Sequence, residues 1–376
     1  MTQTAPRPPD AAGWRRRAAV LAIRFERAVD RAVFSAKRRT GLIGPIEVHA
    51  YRGHGTPKLV MLRARVLERP GVVRASARDS ARRNLRNMAR RFLSDEVPGA
   101  RVTARFAGIE RELVADEEGY VELRLELPTS LHDRAAWHDV ELELTWPPTP
   151  KQGTVRATGR VLVPGNASYA VISDLDDTVI QTGVTRLLTM LRVALLSNAH
   201  TRLPFEGVAA FYRALQHGPD AHAWNPIFYV SASPWNLADV LEDFMDLHGV
   251  PRGPLFLRDW SPFTVRGGTR RHKLEVIDGL METYPDLPFV LIGDSGEHDP
   301  EIYLQVVRAH PGRVKAVYIR DVTSGKRTAE VEVIAAELRE HGVDLVHDDD
   351  TEAAALHARA NGLIAAGADA EAAASP

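Results

Sequence analysis

An apolar run from Tyr169 to Ile172 ends in Ser173-Asp174-Leu175-Asp176-Asp177-Thr178. Short apolar runs closed by turn chemistry read as buried parallel strands. Carboxylates just past such a strand lie where open α/β sheets place their sites. Asp174 and Asp176 are two residues apart and can turn the same way at the strand exit. One can then attack phosphorus while the other handles a proton. Taken alone, the pattern is also that of an acidic strand end with no chemistry. Three later segments change this. Pro226–Val230 is a second apolar run and ends in Ser231-Ala232-Ser233-Pro234. Lys273 opens a helical pattern in RRHKLEVIDGL. Pro288–Ile292 ends in Gly293-Asp294-Ser295-Gly296-Glu297-His298-Asp299. A hydroxyl and an ammonium are groups that hold phosphoryl oxygens.

The ordered set (strand–DxDxT, strand–Ser, helix-start Lys, strand–GDxxxxD) resembles the four motifs of the haloacid dehalogenase superfamily. The wording around them is narrower. SDLDDTVIQTGV, FYVSASPWNL, LFLRDW, HKLEVI, FVLIGDSGEHDPEIY and VYIRDV look like the actin-patch phosphatidate phosphatase family and its bacterial relatives, over roughly 167–322. Weaker similarity runs upstream through RRFLSDEVPGARVTARF and ADEEGYVELRLEL. The resemblance implies Mg²⁺-dependent hydrolysis of phosphatidate to diacylglycerol and phosphate. It implies Asp174 as the nucleophile that forms an aspartyl-phosphate, and Asp176 as the acid and base. It also implies Mg²⁺ held by the Asp174 carboxylate, the Asp176 backbone carbonyl and the Asp294 carboxylate. On the same resemblance Asp299 would hold a metal-bound water or orient Lys273, Thr178 would support the first motif, and Ser231 and Lys273 would bind the phosphoryl oxygens. Many bacterial relatives share the motifs without a settled substrate. A phosphatase acting on soluble phosphomonoesters or phosphoproteins is therefore kept as an alternative. So is a non-enzymatic membrane or protein adaptor, against which the intact Asp174, Asp176, Lys273 and Asp294 argue.

Other residues leave two readings each. Arg320 closes the fifth strand and either reaches an anion or pairs with Asp321. Trp235 follows SASP and either lines the mouth or caps a helix. Arg271, with Arg266, Arg270 and His272, forms a basic run before Lys273 that is either a solvated loop or a substrate attractor. His298 supports the site or is structural. Asp348-Asp349-Asp350 precedes an Ala-rich helix, where anions are stabilising without any metal.

The elements that must position these residues change character along the chain. From Ala167, strands near 169–173, 226–230, 254–258, 288–292 and 315–320 alternate with helical patterns. This predicts a doubly wound parallel-sheet α/β domain over 166–350, with Val343–Val346 as a sixth strand. The insert at 183–199 carries TRLLTMLRVALLSNA and is a core helix or a small cap. Upstream, Val102, Ala104 and Phe106 alternate with polar neighbours, as do Val121, Leu123, Leu125 and Leu127, and Val140, Leu142, Leu144 and Trp146. That predicts an all-β sandwich domain over 41–165, interrupted by a helix at 80–93. Residues 1–40 read as a basic N-terminal helix behind a Pro-rich start, packed on its own domain or drawn to anionic lipid. Residues 351–376 read as an Ala-rich helix and a disordered tail.

At 376 residues the chain has room for two cores. A net charge of −1 selects neither nucleic acid nor membrane, and no aromatic interleaving supports nucleic acid. There is no cysteine, which excludes disulfides and thiolate metal sites and fits a reducing cytosol. No apolar run spans a bilayer and no cleaved leader is read. A cytoplasmic protein, peripheral to the inner face of the membrane if its substrate is a lipid, is expected.

Overall fold

The computed structural model describes residues 44–68, 95–131, 136–149, 152–175, 207–220, 223–258, 268–322 and 326–366. The first of these form nine strands: β1 (Ile46–Ala50), β2 (Gly53–Thr56), β3 (Leu59–Glu68), β4 (Asp95–Glu96), β5 (Arg101–Phe106), β6 (Ile109–Val114), β7 (Tyr120–Glu126), β8 (Trp137–Trp146) and β9 (Arg156–Leu162). Residue type alternates with burial, as a sheet with one solvated face requires: Leu123 and Leu125 point inward while Glu122 and Arg124 face out. The two-sheet sandwich expected from this alternation is instead one hydrogen-bonded sheet. Strand β3 is long enough to pair with β1 and β2 along one edge and with β7 and β4 along the other. The parallel pair β2–β9 then continues the sheet through β8 and β5 to β6. Val60, Leu62, Val102, Ala104, Leu123 and Leu142 share one core, so the sheet curls around it. Period-two patterning specifies which face is buried but not which edges pair.

The second sheet contains β10 (Ala170–Asp174), β11 (Ile227–Pro234), β12 (Leu255–Arg258), β13 (Phe289–Asp294), β14 (Val314–Arg320) and β15 (Asp344–Asp348). All its pairings are parallel, in the order β12-β11-β10-β13-β14-β15. The strands are buried on both faces, hence the unbroken apolar runs. Helices α1 (Val208–His217), α2 (Ala238–Leu247) and α6 (Glu352–Ala360) cover one face. Helices α3 (Gly268–Thr283), α4 (Asp299–Ala309) and α5 (Lys326–Glu340) cover the other. Helix α6 and the residues after it belong to this body: Leu363 and Ile364 are buried, and Tyr169 donates its hydroxyl to the Leu363 carbonyl at 2.7 Å. The strand order reverses between β10 and β13, which opens a crevice at their carboxyl ends.

The two sheets touch through side chains. Tyr51 and Tyr120 of the curled sheet are part of the α/β core that contains Trp235 and Leu237. His54 in β2 lies against Phe228, Phe256 and Tyr284. Among the described residues no helix is long and apolar enough to cross a membrane. The N-terminal segment 1–40, the helix read at 80–93, the insert at 183–199 and the tail 367–376 lie outside the described residues.

Candidate active site

Asp174 is the last residue of β10 and Asp294 the last of β13, and both side chains are buried at the crevice. Strand β11 passes beside them: Asp174 pairs in register with Val230, one residue before Ser231. Lys273 reaches this point from α3 and is 2% exposed. Its Nζ lies 2.8 Å from Asp174 Oδ1, 2.5 Å from Asp299 Oδ1 and 3.1 Å from Glu297 Oε2. The ammonium donates to Asp299 and Glu297 and faces Asp174 as an ion pair. Burial alone would lower the affinity of Lys273 for its proton. The carboxylates of Asp174, Asp299 and Glu297 more than reverse that and hold it charged, well above its ordinary range. The Asp299 carboxyl is pushed up by burial and pulled back by the Lys273 ammonium beside it.

Asp299 begins α4, and its Oδ2 accepts the Asp294 amide at 3.2 Å. This close passage needs Gly293, where a Cβ would collide with the Asp299 side chain. Asp294 Oδ1 accepts the amides of Gly296 at 2.7 Å and Glu297 at 2.9 Å, which fixes the carboxylate plane. Burial, then the neighbouring Asp299, pushes the Asp294 carboxyl up to about 7. The loop between Asp294 and Asp299 is clamped from α5. Arg327 donates to the carbonyls of Ser295 and Glu297, each at 2.8 Å, and grips the Glu301 carboxylate. Arg327 carried no signal in the sequence, because it meets the motif only through packing of α5. Glu297 sits inside the fourth motif, but nothing in the spacing singled it out as a partner of Lys273.

A divalent cation was expected here. The cluster of Asp174, Glu297 and Asp299 is close enough for one, but the Lys273 ammonium already sits among the three. The other face of the site fits a cation better. Asp294 Oδ2 is buried and has no hydrogen-bond partner, while its twin oxygen is held by two amides. An oriented, buried carboxylate oxygen at the end of the strand next to that of Asp174 is a hard donor of the kind Mg²⁺ takes.

Asp174, Ser231, Lys273, Asp294 and Asp299 are thus brought to the carboxyl ends of β10, β11 and β13. Asp176 and Thr178 lie outside the described residues. Trp235 is 7% exposed and packs tilted against Tyr51 with ring centres 4.4 Å apart. It faces the curled sheet, because an aromatic after a strand packs against whatever apolar surface adjoins it. Arg271 points outward and pairs with Glu275 at 2.7 Å. Arg320 is the register neighbour of Asp294, but its guanidinium donates to the Asp349 carbonyl at 2.8 Å and to Thr351 Oγ1 at 2.7 Å. His298 is exposed at the start of α4. Asp348 and Asp350 accept local amides, Asp350 taking that of Glu352 at 2.8 Å in the first turn of α6.

Residues 169–321 match the family model described as the catalytic domain of phosphatidate phosphatase APP1. The phosphatidate phosphatase APP1 of Saccharomyces cerevisiae is 32% identical over 154 residues, which are 40% of this chain and 25% of that protein. An uncharacterised protein of Schizosaccharomyces pombe is 26% identical over 248 residues, 62% of this chain and 39% of its own length. The chain therefore spans a quarter to two fifths of these relatives. A carbohydrate acetylesterase from Xanthomonas citri aligns over 77% of this chain and 72% of its own, at 11% identity and a TM-score of 0.27, which carries no argument. The match to the catalytic-domain model thus covers about two fifths of the chain, and it is in residues 169–321 that the chain is similar to this family.

Proposed function

We propose that the chain is a Mg²⁺-dependent phosphatase that works through an aspartyl-phosphate on a haloacid dehalogenase-like domain with a small cap, and that its substrate is phosphatidate or a related lipid phosphate. The observation that carries this reading is the buried Lys273 ammonium, 2.8 Å from Asp174, at the strand crevice. A phosphate monoester is dianionic and repels a carboxylate. A fixed cation beside the nucleophile offsets that repulsion and orients the attack.

In the proposed sequence an Asp174 oxygen attacks phosphorus and the bond from phosphorus to the leaving oxygen breaks. The leaving alkoxide takes its proton from Asp176. Water then attacks the phosphorus of the acyl phosphate and gives a proton to Asp176. Inorganic phosphate departs and the Asp174 carboxylate is restored. Lys273 and the Ser231 hydroxyl hold the phosphoryl oxygens. Asp299 and Glu297 keep Lys273 charged and aimed. Asp174, the Asp176 carbonyl and Asp294 would hold Mg²⁺, which supplies charge neutralisation at the phosphoryl group when bound.

The lipid substrate rests on the family match, and a lipid phosphate would be met at a membrane surface, on its cytoplasmic side. Hydrolysis of p-nitrophenyl phosphate is expected with Mg²⁺ and is expected to vanish with EDTA. A comparison of phosphatidate micelles with soluble phosphomonoesters and a phosphopeptide, by phosphate release, then identifies the substrate class. Full turnover in metal-free protein refutes the metal assignment. Good cleavage of soluble esters alongside inert phosphatidate refutes the lipid. No turnover of any of them leaves the adaptor reading.

A further inference from the structure

Ser231 stands where the pairing of β11 becomes irregular: the register with β12 shifts between Val230 and Pro234, and Pro234 pairs with Arg258. The Ser233 amide donates to Ser231 Oγ at 2.9 Å, and Trp235–Leu237 forms a single tight turn before α2. The other wall of this turn comes from the curled sheet. Tyr51 packs tilted against Trp235, and the Arg63 guanidinium lies 5.1 Å from the Trp235 ring and 3.8 Å from that of Tyr120. Arg65 is 6% exposed and uses all three nitrogens. Nη1 donates to Asn236 Oδ1 at 2.5 Å, Nε to the Glu118 carbonyl at 2.9 Å and Nη2 to Glu96 Oε1 at 2.9 Å. Arg52 adds ion pairs to Glu242 and Asp246 on α2 at 3.6 and 3.5 Å.

We infer that the curled sheet is a positioning element for catalysis and that Arg65 is its central positioning residue, acting through Asn236 on the turn that carries Ser231. This deepens the phosphatase reading and rests on it. A hydroxyl that stabilises a transferring phosphoryl group must be held to within roughly half an ångström. Strand β10 pairs with β11 only as far as Val230 and β12 meets it again at Pro234, so regular sheet pairing is interrupted across Ser231–Ser233 and a link at the far end of this stretch helps to fix it. Buried guanidinium bonds to two sheet acceptors and one turn acceptor provide a rigid link. Asn236 cannot shift without leaving a buried donor unpaired.

The test is a double-mutant cycle with p-nitrophenyl phosphate and Mg²⁺. Arg65→Met is expected to lower kcat about tenfold, the scale of a sub-ångström misplacement, with a smaller change in KM. In a Ser231→Ala background the same change should lower kcat by less than about twofold, since the group it positions is gone. Asn236→Ala keeps the two bonds of Arg65 within the curled sheet and should reproduce the pattern if Arg65→Met does not fold. Thermal denaturation separates a merely structural role. A lower Tm with kcat unchanged at a temperature where the variant is folded overturns the inference. An equal loss in both backgrounds overturns it too. An inactive wild-type protein instead overturns the phosphatase reading and takes this inference with it.

Discussion

Lys273 sets the energetics of the site. Its ammonium lies within 3.1 Å of three carboxylates, two of them fully buried. Removing one partner of a buried ion cluster leaves uncompensated charge and typically costs about 3–5 kcal/mol. Lys273→Met should therefore lower stability by about that much at neutral pH, measured by urea denaturation. Without the ammonium, the buried carboxylates of the variant prefer to be protonated. The native state then binds more protons than the unfolded chain above pH ~4, so the deficit should shrink as the pH falls toward ~4. A deficit that is absent, or independent of pH, would show that the cluster is not electrostatically coupled. Asp174, Asp294 and Asp299 were legible because each stands at a strand exit or a helix start in a known order. Glu297 and Arg327 were not. Arg327 meets the motif loop from about 30 positions away, and no local pattern encodes that contact.

At the scale of elements, the parallel strands were readable because burial on both faces demands continuous apolar runs, as in Ala170–Ile172 and Phe289–Ile292. The curled sheet was only half readable. Alternation in β7 and β8 assigned their faces, while the four partners of β3 depend on its bend and length. The hairpin β2–β3 supplies a pH-sensitive contact between the sheets. His54 has Nδ1 3.2 Å from the Tyr284 hydroxyl, and burial lowers its pKa from 6.5 to about 4. The unfolded chain therefore binds a proton between pH 6.5 and about 4 that the folded protein refuses. Stability should fall as the pH drops through that window, by on the order of 3 kcal/mol if fully expressed. His54→Phe should flatten this part of the profile in urea denaturation at a series of pH values. An unchanged slope would place the sensitivity elsewhere.

At the scale of the molecule, a parallel α/β body carries the candidate site, and a curled sheet shares a core with it through Tyr51 and Tyr120. Trp235 illustrates why such an arrangement escapes a sequence reading. Its bond-mediating neighbour Asn236 meets Arg65 across 171 positions, and an aromatic that lines a mouth has the same local pattern as one that packs on a second domain. The covalent step proposed at Asp174 would tie both scales together, and it can be tested directly. Protein mixed with ³²P-labelled phosphomonoester and Mg²⁺ is quenched in acid within a turnover, and the labelled peptide is identified. A hydroxylamine-labile phosphate on the peptide that contains Asp174, absent from Asp174→Asn, is the expected result. Turnover without any trapped label, or label that persists in Asp174→Asn, would contradict an aspartyl-phosphate at this residue.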